Sequence, residues 1–345
     1  MPELWFGVVT LMLVLYVVLD GYDLGAGAIH LGLARTDAER RTVIEAIGPY
    51  WDANEVWLIA AGGSLLVAFP RVMSAALSGF YFAMFFVVWC LLLRAMAIEL
   101  RSHLRDTLWR GFWDVVFAGS SALLALLFGV AFGNVIRGVP LTADGWFGMT
   151  LFTTFRPRDP GGILDYYTLL AGVVSVVALS AHGAAYLAWR TTGVLQERAR
   201  LTALVGQWAL VALWPVATWA TYIVNPAMLQ AVPGRPFAWL MTLLAAAGLV
   251  AALRHGARRR PLAAFIGSSA FIAGMIAATA ASLYPVMLRA IPDTSRSILA
   301  TNGGNTPQGM RIALGWWAAG FPLVIVWFAI LFRIHRGKAT VAPEG

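Results

Sequence analysis

The chain has 345 residues, 60% hydrophobic and 12% charged, with a mean hydropathy of +0.74. A soluble domain carries about 25% charged residues, so the composition excludes a soluble globular protein and indicates several membrane spans joined by short loops. The formal net charge of +8 is almost wholly arginine, with Lys338 the one lysine; in such a chain it reads as basic cytoplasmic loops, not as a nucleic-acid surface, and the single cysteine, Cys90, excludes a disulfide framework or a CxxC metal site.

A crossing needs roughly 20 apolar residues. Nine stretches qualify: about 4–33, 50–70, 72–99, 112–136, 163–189, 203–224, 237–254, 262–289 and 308–334. The first lacks a basic leader and runs past signal-peptide length, so it is read as a retained span. It is too long for one crossing and must tilt or project into water. Its segment "VVLDGYDLGAGAIHLGLART" carries Asp20 and Asp23, three residues apart on one helix face. Gly21 and Gly25 form a GxxxG, extended by Gly27 and Gly32, that favours close helix packing.

The second span opens with "IGPYWDANEVWLIAAGG", where Pro49 suits a helix start and Asp52 and Glu55 again lie three apart. Gly62 and Gly63 suggest tight packing, and the Ala68–Pro70 "AFP" a helix end. The third span closes with "RAMAIELR", which brings Glu99 to the same level. Asp20, Asp23, Asp52, Glu55 and Glu99 therefore converge from three consecutive helices on one side of the membrane. An acid near a helix end often meets headgroup water or an arginine, and Arg94 or Arg101 could neutralise Glu99. Aspartate costs about 2.5–3.5 kcal/mol at a span centre, so Asp20, Asp23 and Asp52 read more strongly as relay or ion-path groups than the two glutamates do.

In the later spans, His182 lies deep in the fifth and reads as a hydrogen-bonded core histidine before a haem ligand. His30, His103, His255 and His335 fall near span ends and read as solvated. No paired-histidine haem pattern, Walker loop or usable GxGxxG is present, and the 15 tryptophans fit interfacial belts. Of the 25 basic residues, seventeen fall on one side of a nine-span arrangement, and Arg71, Arg137, Arg156, Arg158, Arg235, Arg289, Arg296 and Arg311 on the other. The positive-inside bias then predicts an external N-terminus and a cytoplasmic C-terminus. "AIHLGLARTDAERR" after span 1 and "AYLAWRTTGVLQERAR" after span 5 share an Arg-Thr exit with Glu-Arg downstream. Such a repeat divides one integral domain, 1–345, into four-helix units at 1–140 and 160–290 and a peripheral ninth helix at 305–336.

"LDGYDLGAGAI" followed by "IGPYWDANEVWLIAAGGSLLVAFPRVMSAALSGFYFAM" resembles subunit II of cytochrome bd-type quinol oxidases, including the cyanide-insensitive oxidases. The marks are D-G-[FY]-D-[LM]-G-x-G at Asp20–Gly27, W-D-x-N-[EQ]-V-W-L-I at Trp51–Ile59 and A-x-x-G-F-Y at Ala76–Tyr81, supported by "FGVAFGNVIRGVP" at Phe128–Pro140 and "LLAGVVSV" at Leu169–Val176. The marks are dense through residues 17–190 and thinner beyond. Ala53 replaces the usual glycine of W-D-G-N, "LRAMAIELR" keeps Glu99 and Arg101 without the usual aromatics, and the loop around Asn225–Pro236 is short.

The resemblance implies a nine-helix subunit of an inner-membrane terminal oxidase. It implies a similarly folded partner, subunit I, holding two haems b and a haem d, and in some members a small accessory subunit. The complex oxidises quinol and reduces dioxygen to water with proton uptake from the cytoplasm. The resemblance assigns Asp20, Asp23 and Asp52 to a proton path, places no haem ligand in this chain, and implies a structural quinone in some members. A proton- or cation-coupled secondary transporter is the alternative, since parallel repeats and intramembrane acids suit one. Against it, the acids cluster on one side and spans 5–9 have almost none. A purely structural assembly scaffold is the third reading.

Overall fold

The computed structural model describes residues 1–157 and 161–340; Arg158, counted above among the basic residues, lies outside them. The helices are α1 (Pro2–Ala28), α2 (His30–Leu33), α3 (Asp37–Ile47), α4 (Trp51–Ala68), α5 (Pro70–Gly79), α6 (Tyr81–Leu100), α7 (Thr107–Arg137), α8 (Tyr166–Arg190), α9 (Gly193–Val224), α10 (Pro226–Gln230), α11 (Pro236–Ala257), α12 (Pro261–Leu283) and α13 (Pro307–Ile334). Among the described residues, eight are long and apolar enough to cross a membrane: α1, α6, α7, α8, α9, α11, α12 and α13. The α4–α5 pair makes a ninth if it is counted as one span bent by 120°. The chain is an all-α polytopic membrane protein.

Proline chemistry sets several boundaries. Phe69 precedes Pro70 and takes φ −134°, ψ 61°, outside the helical region, as a residue before proline is pushed to do. The chain turns by 120° there between α4 and α5, and the stretch 72–99, expected as one span, is two helices, α5 and α6, parted at Phe80. The expected span 262–289 stops at Leu283, because Tyr284 precedes Pro285. Beyond it, strand β1 (Val286–Leu288) pairs antiparallel with β2 (Ile298–Leu299). The first spanning helix ends at Ala28, short of the expected 33, and α2 follows Ile29 as a separate short helix.

Three elements depart from the expectation of spans and short loops. Helix α3 is amphipathic and starts at a capping box: Thr36 Oγ1 accepts from the Glu39 N–H, and Glu39 accepts from the Thr36 N–H. Helix α9 starts at Gly193, some turns before the apolar run, so that Arg198 reaches Glu39 and the Leu33 carbonyl. The segments 138–149 and 284–306 pack together, with Val139, Leu141, Phe147, Leu288, Ala290 and Ile298 in one buried cluster.

Helix α1 is central and packs on α4, α7, α8 and α12. Its glycine stripe is a crossing point. A Cβ on Gly25 would lie 1.8 Å from the Leu179 carbonyl oxygen, and one on Gly183 would lie 2.2 Å from the Ala26 nitrogen. Only glycine lets α1 and α8 approach this closely. Gly32, the last of the stripe, has nothing within 4 Å and takes no part. His182 joins the same crossing, with Nδ1 2.9 Å from Ser268 Oγ on α12 and Nε2 3.0 Å from the Val18 carbonyl on α1.

Candidate functional site

Helix α1 also packs against α4, and Arg94 reaches both from α6. Asp20 is fully buried, and its Oδ1 accepts from Arg94 Nη1 at 2.8 Å. Arg94 is also fully buried, and its Nη2 pairs with Glu55 of α4. One guanidinium thus joins three helices and faces two carboxylates. A turn further along α1, the fully buried Asp23 accepts from Asn54 Nδ2 at 2.7 Å. That same amide nitrogen lies 2.8 Å from Tyr22 Oη and 3.2 Å from the Leu19 carbonyl. A buried charge is tolerated when it is paired and hydrogen-bonded; here two bonded acids share one base.

Of the five acids singled out in the sequence, Asp20, Asp23 and Glu55 come together. Asp52 is exposed, one turn before Glu55, and its charge acts on Glu55. Glu99 is exposed and makes no ion pair among the described residues. Neither arginine considered for it is available. Arg94 is held by Asp20 and Glu55, and Arg101 by Asp114 and Asp37.

A second polar knot lies at the end of the bundle beside α3. Asp114 of α7 is buried and accepts from Arg101 Nε at 2.5 Å, Arg40 Nη1 at 3.1 Å and His30 Nε2 at 2.8 Å. Asp37 bonds Arg101 and Arg110 from α3. Burial pushes His30 below its ordinary pKa despite the opposing pull of Asp114. The ring is therefore neutral near pH 7, with Nε2–H donating to the carboxylate. His30 is fully buried, not solvated as expected. Glu39 is held below the usual carboxylate range; slight burial opposes this, and the Arg35 and Thr36 N–H groups with Arg198 outweigh it.

The model of the family described as cytochrome bd terminal oxidase subunit II matches residues 1–335. The chain belongs to that family. It is 39% identical over 231 residues to the cytochrome bd-I ubiquinol oxidase subunit 2 of Escherichia coli K12, covering 65% of this chain and 60% of that one. A "Probable cytochrome oxidase subunit 2" of Haemophilus influenzae is 30% identical over 356 residues, covering 96% of this chain and 92% of its own length. The bd oxidase structure from Geobacillus thermodenitrificans superposes with a TM-score of 0.76 over 96% of this chain and 98% of that one, at 16% identity, and shares the fold. This subunit II is a multi-pass protein of the bacterial cytoplasmic membrane.

Haems belong to bd oxidases as a family, so the buried histidines were tested as ligands. His182 does not fit, since both of its ring nitrogens face internal partners; His30 holds Asp114 through Nε2, and its Nδ1 is enclosed within the protein. Three residues of these two polar clusters are not singled out by the sequence. Arg94 was counted with the basic loops, although a single arginine inside "LLLRAMAI" was the signal. Asp114 in "GFWDVVF" carried the same signal as Asp20. Asn54 had none beyond its place beside Asp52.

Proposed function

We propose that the chain is the haem-free subunit of a quinol-oxidising, dioxygen-reducing complex and lines a proton path from the cytoplasm toward the haem-bearing subunit I. The observation that carries this is the Asp20–Arg94–Glu55 arrangement. With both acids ionised the group has one charge too many, and in a low-dielectric site that surplus favours holding a proton. Asp52 is the exposed mouth, the half-buried Glu55 and the buried Asp20 are the holding site, and Asp23 with Asn54 lies alongside. Glu99 belongs to the surface near the mouth. The path uses no metal or haem of this chain.

The same reading counts α4–α5 as one bent crossing. This gives nine crossings, an external N-terminus and a cytoplasmic C-terminus, with four-helix units at 1–140 and 160–290 and a peripheral α13. Quinol and dioxygen are the substrates of the complex, subunit I is the obligate partner, and a small accessory subunit is compatible with it. We place the structural quinone of some family members in the groove between α1, α11 and α12. It has a volume of about 680 Å³, an apolar lining that includes Gly7, Ala277 and Ala281, and Glu3, Arg235 and Tyr284 along it. Family membership weighs against the transporter alternative.

The test is a reduced-minus-oxidised visible spectrum of the tagged chain, purified in mild detergent from native membranes, with quinol-driven oxygen uptake on the same sample. Bands of b- and d-type haem, a second integral protein and oxygen uptake are expected. A colourless single-chain preparation from well-expressing membranes refutes the reading.

A further inference from the structure

The acid site does not end at Asp20. Tyr16 stands one turn away on the same face of α1, about 6 Å further from the cytoplasmic mouth. It is buried, and its ring meets Phe128 edge-on at 5.6 Å and 86°. Its hydroxyl has no hydrogen-bond partner among the described residues. Asp20 Oδ2, Arg94 Nε and the indole Nε1 of Trp57 are buried in the same condition. Trp57 of α4 packs in the same apolar cluster as Tyr16, with Met12, Ala61 and Phe328. Asp20, Arg94 and Glu55 are the charged groups that act on the Tyr16 hydroxyl.

Buried polar groups in folded proteins almost always find partners. These four are chemically complementary: an indole and a guanidinium N–H that only donate, a carboxylate oxygen that accepts, and a phenol that does both. Among the described residues no full hydrogen bond joins them, although Asp20 lies within interaction distance of the Tyr16 hydroxyl. Water is the small ligand that donates twice and accepts twice, and buried water typically makes two to four such bonds. We infer that Tyr16, Trp57, Asp20 and Arg94 hold internal water, and that Tyr16 is a positioning residue which extends the proton-holding site one turn deeper than Asp20. Water held there hands a proton to Asp20 Oδ2 or receives one from it, while Tyr16 keeps its own hydrogen and fixes the orientation. This rests on the proton-path reading and adds to it a residue and a ligand site.

The test is Tyr16→Phe in the intact complex beside Asp20→Asn. Phenylalanine keeps the ring and its contact with Phe128 and removes one oxygen. With haem bands and subunit stoichiometry unchanged, turnover should fall about five-fold, the rate equivalent of one lost hydrogen bond, and the solvent deuterium isotope effect should rise. If Asp20→Asn is slow while Tyr16→Phe matches wild type in rate and isotope effect, this inference fails and the proton path stands. If both match wild type, the proton-path reading fails and takes the inference with it. Should Tyr16→Phe not assemble, a high-resolution map of the wild-type complex decides. Density bridging Tyr16 Oη and Asp20 Oδ2 supports the inference, and its absence where other internal waters are visible overturns it.

Discussion

Two of the buried arginines, Arg94 of α6 and Arg137 of α7, have surroundings that differ in kind. Arg137 sits at the end of α7 against one carboxylate. Its Nη1 pairs with Asp165 and lies 3.1 Å from the Gly162 carbonyl; Nη2 reaches Asn134 Oδ1 at 2.6 Å, and Nε the Gly138 carbonyl at 3.2 Å. Asp165 also caps α8, accepting from the Tyr167 and Thr168 N–H groups at 2.8 Å each. Charges match, and every guanidinium nitrogen is used. Arg94 faces two carboxylates, and its Nε, Asp20 Oδ2, Tyr16 Oη and Trp57 Nε1 have no partner among the described residues. A satisfied buried network rigidifies structure, whereas buried polar groups without partners are costly and call for water or a functional role. The first is a clasp between α7 and the start of α8. The second has room for protons and water.

The hardest way to break the comparison is to remove each arginine. Arg94→Met and Arg137→Met each strand buried carboxylates, which costs about 3–5 kcal/mol, so both should lower the melting temperature and the yield of assembled complex. They should differ in what survives. Complex that assembles with Arg137→Met should turn over normally per haem, whereas complex with Arg94→Met should not. Equal activity per haem in the two variants would erase the distinction.

The next effect in size comes from the carboxylates. Asp20→Asn keeps shape and volume but cannot carry a proton, so turnover should fall on the order of a hundred-fold, as for loss of a proton-transferring group. Asp165→Asn should leave turnover per haem unchanged and cost stability through the weakened clasp. Oxygen uptake and thermal melts on the same preparations check both.

The contrast between the arginines explains what was legible beforehand. Asp20, Asp23 and Asp52 stood out because a carboxylate in an apolar run is costly, and the helix period put Asp20 and Asp23 on one face. Most of the expected spans map onto observed helices, because twenty apolar residues have few other folds. Partners were not legible. Nothing in "RAMAIELR" says that Arg94 turns to α1 and α4 while Arg101 turns to α3 and α7; that depends on helix rotation, set by contacts such as Gly25 on Leu179. The bend at Phe69 was half visible in Pro70, which announces a helix end and not the angle. The α3 cap was spelled out by Thr36 and Glu39 but lay outside a search for spans.

A smaller effect separates the Asp114 knot from both arginines. His30 is neutral in the fold, with its pKa pushed below the ordinary value of about 6.5 by burial. Unfolded chains therefore bind more protons than folded ones just below that pH. Stability is fully present above about pH 6.5 and declines as pH falls toward the folded value. The melting temperature of the complex should drop over that window, and His30→Gln should flatten the drop without changing turnover at neutral pH. A wild-type melting profile that is flat from neutral pH downward would contradict the assignment.

The smallest expected effect is at Glu99, and it bears on whether acidity alone or burial with a shared base makes a proton site. Glu99 lies on α6 five residues beyond Arg94, yet its side chain is exposed and unpaired among the described residues. Exposed substitutions away from packed features usually change stability by less than about 0.5 kcal/mol, so Glu99→Gln should match wild type in melting and, within about two-fold, in oxygen uptake. If it slowed turnover as Asp20→Asn is expected to, proton capture would have to begin at the surface of α6. The path would then run past Arg101 and the Asp114 knot, and that knot would no longer be structural in the sense that the Arg137 clasp is.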